Sequence, residues 1–292
     1  MSAAEPSQGA RPLWGSRRRA PLWQISITAV VWLVAAMLAV VAPVAGASEG
    51  ADLRLAPAPV NRLDDESLQR GARNFVNYCL SCHSAKYMRY GRLEGIGIDE
   101  SMIQDNLMFA GGKIGNTMTV AMPPADAVKW LGVAPPDLSL ASRIRGREWL
   151  YNYLLGFYRD DKAASGWNNL VFKNVGMPHV LWELSGTNKL VEREFEDQEK
   201  AIAAAIAVKG LALVEPAGGG KFVVETVAPD VPGRLTRSQY EAFVADLVNY
   251  MDYMAEPYKN TRINVGIVVL MFLGVLFVFA YAMKREYWKD VH

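Results

Sequence analysis

Cysteine and histidine are scarce in this sequence, with two cysteines and three histidines in 292 residues. A disulfide framework needs several spaced cysteine pairs, and a structural zinc site needs four ligands, so this composition suits neither. Both cysteines, Cys79 and Cys82, lie with His83 in one short stretch, "NYCLSCHSAKY", at positions 77–87. Their role must therefore be local, because they are too close together to cross-link distant parts of the chain.

An excess of charge of either sign is also lacking. The net charge is +1 for the chain and about −2 without residues 1–47, where four of the arginines lie. A protein that binds nucleic acid normally carries a strong basic excess. The charge balance thus gives no reason to expect nucleic acid as a partner.

The first of two long apolar runs lies near the N-terminus. Arg17, Arg18 and Arg19 precede an apolar run over positions 25–44, and Ala45-Gly46-Ala47 has the small-x-small form of a leader cleavage site. These features predict a secretory signal peptide over residues 1–47, cut after Ala47. Because the run is long for a signal core, an uncleaved membrane anchor is the alternative.

The second apolar run, over positions 263–283, contains 21 residues without a charge. At 1.5 Å per residue it spans about 31 Å, close to the hydrocarbon thickness of a bilayer, and it predicts a transmembrane helix. Lys284, Arg285 and Lys289 follow it and favour a cytoplasmic C-terminus. Together with the export signal, this orientation puts an exported domain, residues 48–258, outside the cytoplasmic membrane, with residues 259–292 as its anchor.

The exported domain has the pattern of a mainly α fold with long loops and a small β-hairpin. A helix should start near Asp64 or Asp65, because apolar residues recur at spacings of three and four up to Cys79. Further helices are predicted over 140–158 and 188–209 and from a capping box at Ser238–Glu241. Gly- and Pro-rich loops are expected over 91–137, with a short helix near 126–131, and a hairpin in "LALVEPAGGGKFVVETV".

Cys79-Leu80-Ser81-Cys82-His83 is a C-x-x-C-H motif, the pattern of covalent c-type haem attachment. One helical turn puts both sulfurs along the edge of the porphyrin and leaves the imidazole beneath the iron. A redox-active thiol pair would instead lie in a βαβ context, which this helix-and-loop pattern lacks. The single motif predicts one haem c, with His83 as an iron ligand.

The second axial ligand is less directly indicated. A thioether is typical of electron carriers because it favours reduced iron, and two methionines precede a proline in a loop: Met122 in "VAMPPAD" and Met177 in "NVGMPHV". His179 is a third option and would give bis-histidine ligation. Spacing does not choose among them, and an open iron site, as in a haem enzyme or a gas sensor, is a further alternative.

The order of these features resembles the cytochrome c1 family, the haem subunit of the ubiquinol–cytochrome c oxidoreductase (cytochrome bc1) complex. C-x-x-C-H at 79–83 precedes "PPDLS" at 135–139, an arginine six residues later, a "GM" loop, a terminal helix and one C-terminal anchor. The resemblance covers most of residues 60–290. It implies the following haem contacts: Met177 as the sixth ligand, Arg145 paired with a propionate, Pro135 and Pro136 lining the pocket, and Tyr90 near the ring.

The resemblance also implies an electron relay on the periplasmic side of a bacterial inner membrane. A mobile Rieske iron–sulfur protein would deliver one electron, and a soluble cytochrome c or an equivalent carrier would remove it. Cytochrome b would carry out the quinol chemistry, so no catalytic residue is expected in this chain, and the whole would be a dimer of multi-subunit protomers in contact with lipid. The nearest rival is another membrane-tethered c-type carrier, for example one serving a terminal oxidase.

Overall fold

The structure, a computed structural model, describes residues 52–109, 111–208 and 210–290. A 3-10 helix spans Tyr90–Ile96. The other elements, in chain order, are β1 (Asp52–Arg54), α1 (Asp65–Tyr78), β2 (Ala85–Arg89), α2 (Glu100–Leu107), β3 (Thr117–Met118), α3 (Pro124–Leu131), α4 (Ala141–Arg145), α5 (Arg147–Leu155), β4 (Phe157–Arg159), β5 (Trp167–Asn169), α6 (Trp182–Ser185), β6 (Gly186–Phe195), α7 (Gln198–Ala207), β7 (Ala212–Gly218), β8 (Lys221–Pro232), α8 (Arg237–Ala255) and α9 (Lys259–Tyr287).

Helix α1 begins where the sequence predicts it. The Asp64 side chain accepts a hydrogen bond from the Ser67 backbone N–H at 3.0 Å and so caps the helix N-terminus. The apolar spacing puts Leu68 and Phe75 into the main core. At Gly71 the helix lies so close to α8 that an added Cβ would be 2.1 Å from the Asp246 carbonyl oxygen.

Helix α8 forms the other half of this core. Its capping box uses Thr236 and Gln239, two residues before the predicted Ser238, because the Thr236 hydroxyl accepts from the Gln239 N–H while the Gln239 side chain accepts from the Thr236 N–H. Tyr250 is fully buried against Phe75, with ring centroids 5.6 Å apart. The α1–α8 pair thus provides a rigid base for the residues that follow α1.

A four-stranded antiparallel sheet of order β1-β7-β8-β6 makes the description "mainly α" too narrow. Helices hold somewhat less than half of the described residues. The predicted hairpin is present as β7 and β8, but the predicted helix over 188–209 is wrong in its first half, which is β6, and α7 forms only the second half. Long-range pairing explains the error: β6 satisfies its backbone groups against β8, from Gly186↔Pro232 to Phe195↔Phe222.

The helix predicted over 140–158 is interrupted. Gly146 adopts φ 88°, a conformation that favours glycine, and separates α4 from α5. After α5 the chain turns into β4, which pairs with β5. The region 91–137 has more helix than expected, because α2 precedes the predicted short helix, which is α3.

Helix α9 is, among the described residues, the one helix long and apolar enough to cross a membrane. It has 29 residues and includes the predicted span 263–283. Its apolar side chains are exposed in the isolated chain, as expected for a helix that contacts lipid. The predicted signal peptide, residues 1–47, lies outside the described residues.

Candidate functional site

The C-x-x-C-H motif extends α1 by one turn. The N–H groups of Cys82 and His83 donate to the Cys79 carbonyl oxygen at 3.1 and 2.9 Å. Both cysteines are free and half-buried, and the turn puts them on one side of the chain. Burial, with a smaller contribution from Cys82, raises the pKa of the Cys79 thiol to about 12, so this thiol is protonated near neutral pH.

His83 is oriented by a backbone carbonyl. Its Nδ1 lies 2.8 Å from the Pro136 carbonyl oxygen, and since a carbonyl only accepts, Nδ1 carries the proton and donates. This tautomer leaves the lone pair of Nε2 free to bind a metal. Burial lowers the pKa of His83, although the bond to Pro136 opposes this, so the neutral imidazole is favoured.

The Pro135–Ser139 segment is fixed to the chain just after His83. The Leu138 N–H donates to the Ser84 carbonyl oxygen at 2.8 Å. The Lys86 N–H donates to the Asp137 carboxylate at 2.9 Å, and the Tyr87 N–H donates to the Ser139 hydroxyl at 3.0 Å. Pro135, half-buried, and Pro136, exposed, are thereby held beside the histidine. The sequence reasoning did not assign these roles to Asp137 and Ser139, although an Asp and a Ser two residues apart are typical of a side-chain-bonded turn.

Met177 lies in a second loop, with its sulfur held by a hydroxyl. The Tyr153 O–H donates to Met177 Sδ at 3.4 Å, and the half-buried methionine packs on a small cluster that includes Phe157. Burial raises the pKa of Tyr153 to about 12, so the hydroxyl keeps its proton at neutral pH. A Cβ added to Gly176 would lie 3.2 Å from Val133 Cγ1. The Met177 loop therefore contacts the same 133–136 segment that orients His83.

His179, the alternative histidine ligand, has other partners. It is 3% exposed, its Nε2 lies 2.8 Å from the Ser185 hydroxyl, and its ring stacks on Phe157 with centroids 4.7 Å apart. Burial lowers the pKa of His179 to about 4, so the ring is neutral. These contacts are those of a core histidine.

Met122, the alternative thioether, follows a residue that is bonded close to His83. The Val120 N–H, two residues earlier, donates to the Ser84 hydroxyl at 3.0 Å, and Ser84 adjoins His83. Among the described residues, no hydrogen bond to the Met122 sulfur occurs. The Met177 sulfur, by contrast, has the Tyr153 hydroxyl as its partner.

Arg145 lies on an aromatic ring next to Tyr153, whereas Tyr90 lies in the main core. Arg145, at the end of α4, lies 5.2 Å above the Trp149 ring of α5, and Trp149 stacks on Tyr153 at 4.9 Å, so two contacts connect Arg145 to the tyrosine that holds Met177. The aromatic residues at 149, 153 and 157 are the sequence feature that could have indicated Tyr153, but they do not indicate its contact with Met177. Tyr90 is buried in the main core at the start of the 3-10 helix.

The donor set fits a covalently attached haem. It comprises two thiols one turn apart, an imidazole nitrogen left free by its tautomer, and a thioether, which together are the attachment points and axial ligands of a c-type haem. Among the described residues, no group of three or more His, Cys, Asp or Glu could hold a bare metal ion. With α9, these features define a membrane-anchored c-type cytochrome.

Comparisons with known proteins give the family. The family model described as "Cytochrome C1 family" matches residues 56–209 and 235–291. The chain is 41% identical to a cytochrome c1 of Allochromatium vinosum, over 89% of this chain and 99% of that one, and 27% identical to one of Rhodospirillum rubrum, over 79% and 84%. A Nitrosomonas europaea protein named ammonia monooxygenase gamma subunit is 43% identical, over 86% and 94%.

The chain belongs to the cytochrome c1 family. It carries one covalently bound haem c and is a membrane-anchored electron carrier of the cytochrome bc1 complex, in which it functions with cytochrome b. The family predicted from the order of the motifs is confirmed. This assignment replaces the two alternative functions, a carrier for a terminal oxidase and a haem enzyme or sensor with an open iron site.

Proposed function

We propose that Cys79 and Cys82 hold the haem through thioether bonds and that His83 and Met177 are its axial ligands. The observation that carries this assignment is that both proposed ligands are held in position. Pro136 accepts a hydrogen bond from His83, and Tyr153 donates one to the Met177 sulfur. Both ligands also lie next to the 133–136 segment, through Pro136 for His83 and through Val133 for the Met177 loop. When bound, the haem supplies a one-electron redox couple.

The remaining site residues orient these ligands and adjust the potential. The thioether of Met177 is a weak donor that favours reduced iron, and Tyr153 holds its sulfur in place. We assign Arg145 to a haem propionate, because its exposed guanidinium lies at the end of the Trp149–Tyr153 row. Pro135 and Pro136 form part of the pocket wall, and Tyr90 supports it from the core. No step requires a proton donor or acceptor from this chain.

For the relay, we infer that a Rieske iron–sulfur protein delivers the electron and that a soluble cytochrome c, or an equivalent carrier, removes it. We also infer dimeric multi-subunit protomers. Residues 1–47 are proposed as a signal peptide, 48–258 as the haem domain and 259–292 as the anchor. Lys284, Arg285 and Lys289 at the end of α9 favour a cytoplasmic C-terminus and a periplasmic haem domain.

The axial assignment is tested by Met177→Leu in the full chain, compared with Met122→Leu and His179→Gln. We expect Met177→Leu alone to lower the haem midpoint potential and to let the reduced protein bind carbon monoxide, because it removes the sixth ligand. If Met122→Leu instead lowers the potential and permits carbon monoxide binding, while Met177→Leu leaves the haem spectrum unaltered, Met122 is the sixth ligand. His179→Gln tests bis-histidine ligation in the same way.

The relay is tested by purification from membranes. Co-isolation of the chain with b-type haem and an iron–sulfur subunit is expected, together with reduction of the c-type haem when quinol is added. Recovery of the chain with neither, and no quinol-dependent reduction, would refute the proposed donor. Oxidation of the reduced complex by added soluble cytochrome c tests the acceptor.

A further inference from the structure

One segment of the exported domain has no counterpart in the family match. The matched ranges end at 209 and resume at 235, so residues 210–234 lie between them. These residues form the β7–β8 hairpin, which pairs with β1 on one side and β6 on the other. The family model does not match this hairpin, and the contacts of the hairpin indicate a role.

The hairpin contacts the Met177 loop through a charged cluster. Lys173, four residues before Met177, places its Nζ 2.7 Å from Glu215 Oε2 and 3.0 Å from Glu225 Oε1. Glu215 comes from β7 and Glu225 from β8. The Glu225 side chain is nearly buried, whereas Lys173 and Glu215 are about one-third exposed. A charge pair of this burial is stronger than an exposed one, because fewer water molecules compete for it.

Apolar contacts fasten the start of the same loop. Leu170, which is 1% exposed, packs with Leu211, just before β7, and with Leu213 in β7. Leu211 also lies close to Gly156, where an added Cβ would be 2.8 Å from Leu211 Cδ2, and the Gly156 carbonyl oxygen accepts from the Leu170 N–H at 3.0 Å. The hairpin therefore holds the loop at two points, Leu170 and Lys173.

Local side-chain hydrogen bonds hold the base of the loop. Asn168 Oδ1 accepts from the Asn174 N–H at 2.8 Å, and Asn169 Oδ1 accepts from the Val171 N–H at 2.9 Å. Asn174 has φ 57°, a left-handed conformation that costs free energy in a residue other than glycine. Asn174 lies three residues before Met177, so contacts that hold this turn also restrict the position of Met177.

We propose that the 210–234 hairpin is a brace that holds the Met177 loop closed, with Lys173 and Glu225 as positioning residues. The proposal rests on the proposed function in that Met177 is taken as the sixth ligand. Release of the brace raises the fraction of molecules in which the loop leaves the haem face.

The test uses the full chain in its membrane complex with the variants Lys173→Met and Glu225→Gln. Lys173→Met leaves the nearly buried Glu225 without its cation, and Glu225→Gln keeps the shape but removes the charge. The matched control is Lys221→Gln, which removes an exposed pair of the same hairpin, Lys221 to Glu194 at 3.4 Å, four residues before Glu225 on β8. Two readouts are compared: amide hydrogen exchange over 170–177, and carbon monoxide binding by the reduced haem.

We expect exchange over 170–177 and the rate of carbon monoxide binding to rise about tenfold in Lys173→Met, less in Glu225→Gln, and not in Lys221→Gln. Unchanged exchange in both test variants, or an equal rise in the control, would overturn the brace. Failure of the axial assignment gives a different pattern. Exchange would rise without a rise in carbon monoxide binding, and Met177→Leu would leave the haem spectrum unchanged. In that case the hairpin braces the loop, but the loop does not supply the ligand.

Discussion

The hydroxyl of Tyr153 donates a hydrogen bond to Met177 Sδ across 3.4 Å, linking helix α5 to a loop 24 residues further along the chain. Tyr153 is in turn stacked on Trp149 and lies edge-on to Phe157, so its position is fixed from two sides. A sulfur that accepts a hydrogen bond has less electron density to give to oxidised iron. The contact should therefore both position the thioether and raise the haem potential.

Replacing Tyr153 by Phe removes this donor and keeps the ring. We expect the midpoint potential to fall by about 20–60 mV, which corresponds to the net worth of one hydrogen bond in a one-electron couple. The haem should stay six-coordinate, so carbon monoxide binding should not increase. Redox titration of the haem absorption measures the shift, with Tyr158→Phe as a control elsewhere in the same region. A potential equal to that of the unmodified protein would show that the bond does not tune the iron.

Arg145→Gln is expected to lower the potential by tens of millivolts, because a positive charge near the haem disfavours the oxidised, more positive state. Arg147→Gln is the matched control, since Arg147 pairs with its neighbour Glu148 at 2.8 Å. The shift for Arg145→Gln should shrink at high salt if the guanidinium is exposed when haem is bound. Equal shifts in the two variants would contradict a specific contact with a propionate.

The cysteine variants test covalent attachment. Cys79→Ser and Cys82→Ser should each leave one thioether bond, and the double variant should leave none, so that haem separates from the chain under denaturing conditions. Haem staining of a denaturing gel gives the result directly, and Ser81→Ala, between the two cysteines, should stain like the unmodified protein. Haem retained by the double variant would refute attachment at these thiols.

Gly71→Ala tests the base on which the haem motif stands. Its Cβ would lie 2.1 Å from the Asp246 carbonyl oxygen and 2.7 Å from Tyr250 Cβ, so α1 and α8 must move apart. We expect a loss of about 2 kcal/mol or more in the free energy of unfolding, measured by denaturant titration. Gly115→Ala, where an added Cβ meets nothing within 4 Å, should change it by less than about 0.5 kcal/mol. If Gly71→Ala does not lower the free energy of unfolding, α1 and α8 can adjust to the added methyl group without cost.

The sequence predicted the features that depend on neighbours along the chain. The start of α1 follows from the Asp64 cap and the helical spacing of apolar residues, and the β7–β8 turn follows from its three glycines. The C-x-x-C-H spacing is likewise local, and so is the membrane span, which depends only on length and polarity.

Features that depend on distant partners were missed or misassigned. Strand β6 was predicted to be helical, because the residues that pair with it, 222–232, lie between 27 and 46 positions further along the chain, beyond the range of a local pattern. The interruption at Gly146 was missed because a single glycine within a helical pattern is often tolerated. The bond between Tyr153 and Met177, and the contacts of Lys173 with Glu215 and Glu225, require knowledge of which loop meets which strand. The resemblance pointed to Met177, but the groups that hold it are visible only in the fold.

The join between α8 and α9 is short and heavily fastened. Three residues separate the two helices, and within them the Glu256 carboxylate pairs with Arg262 at 2.7 Å, while its carbonyl oxygen accepts from Arg62. The Tyr258 hydroxyl accepts a hydrogen bond from Arg92, an exposed residue of the 3-10 helix. A join of this length, held by these bonds, leaves the haem domain little freedom to move relative to its membrane helix.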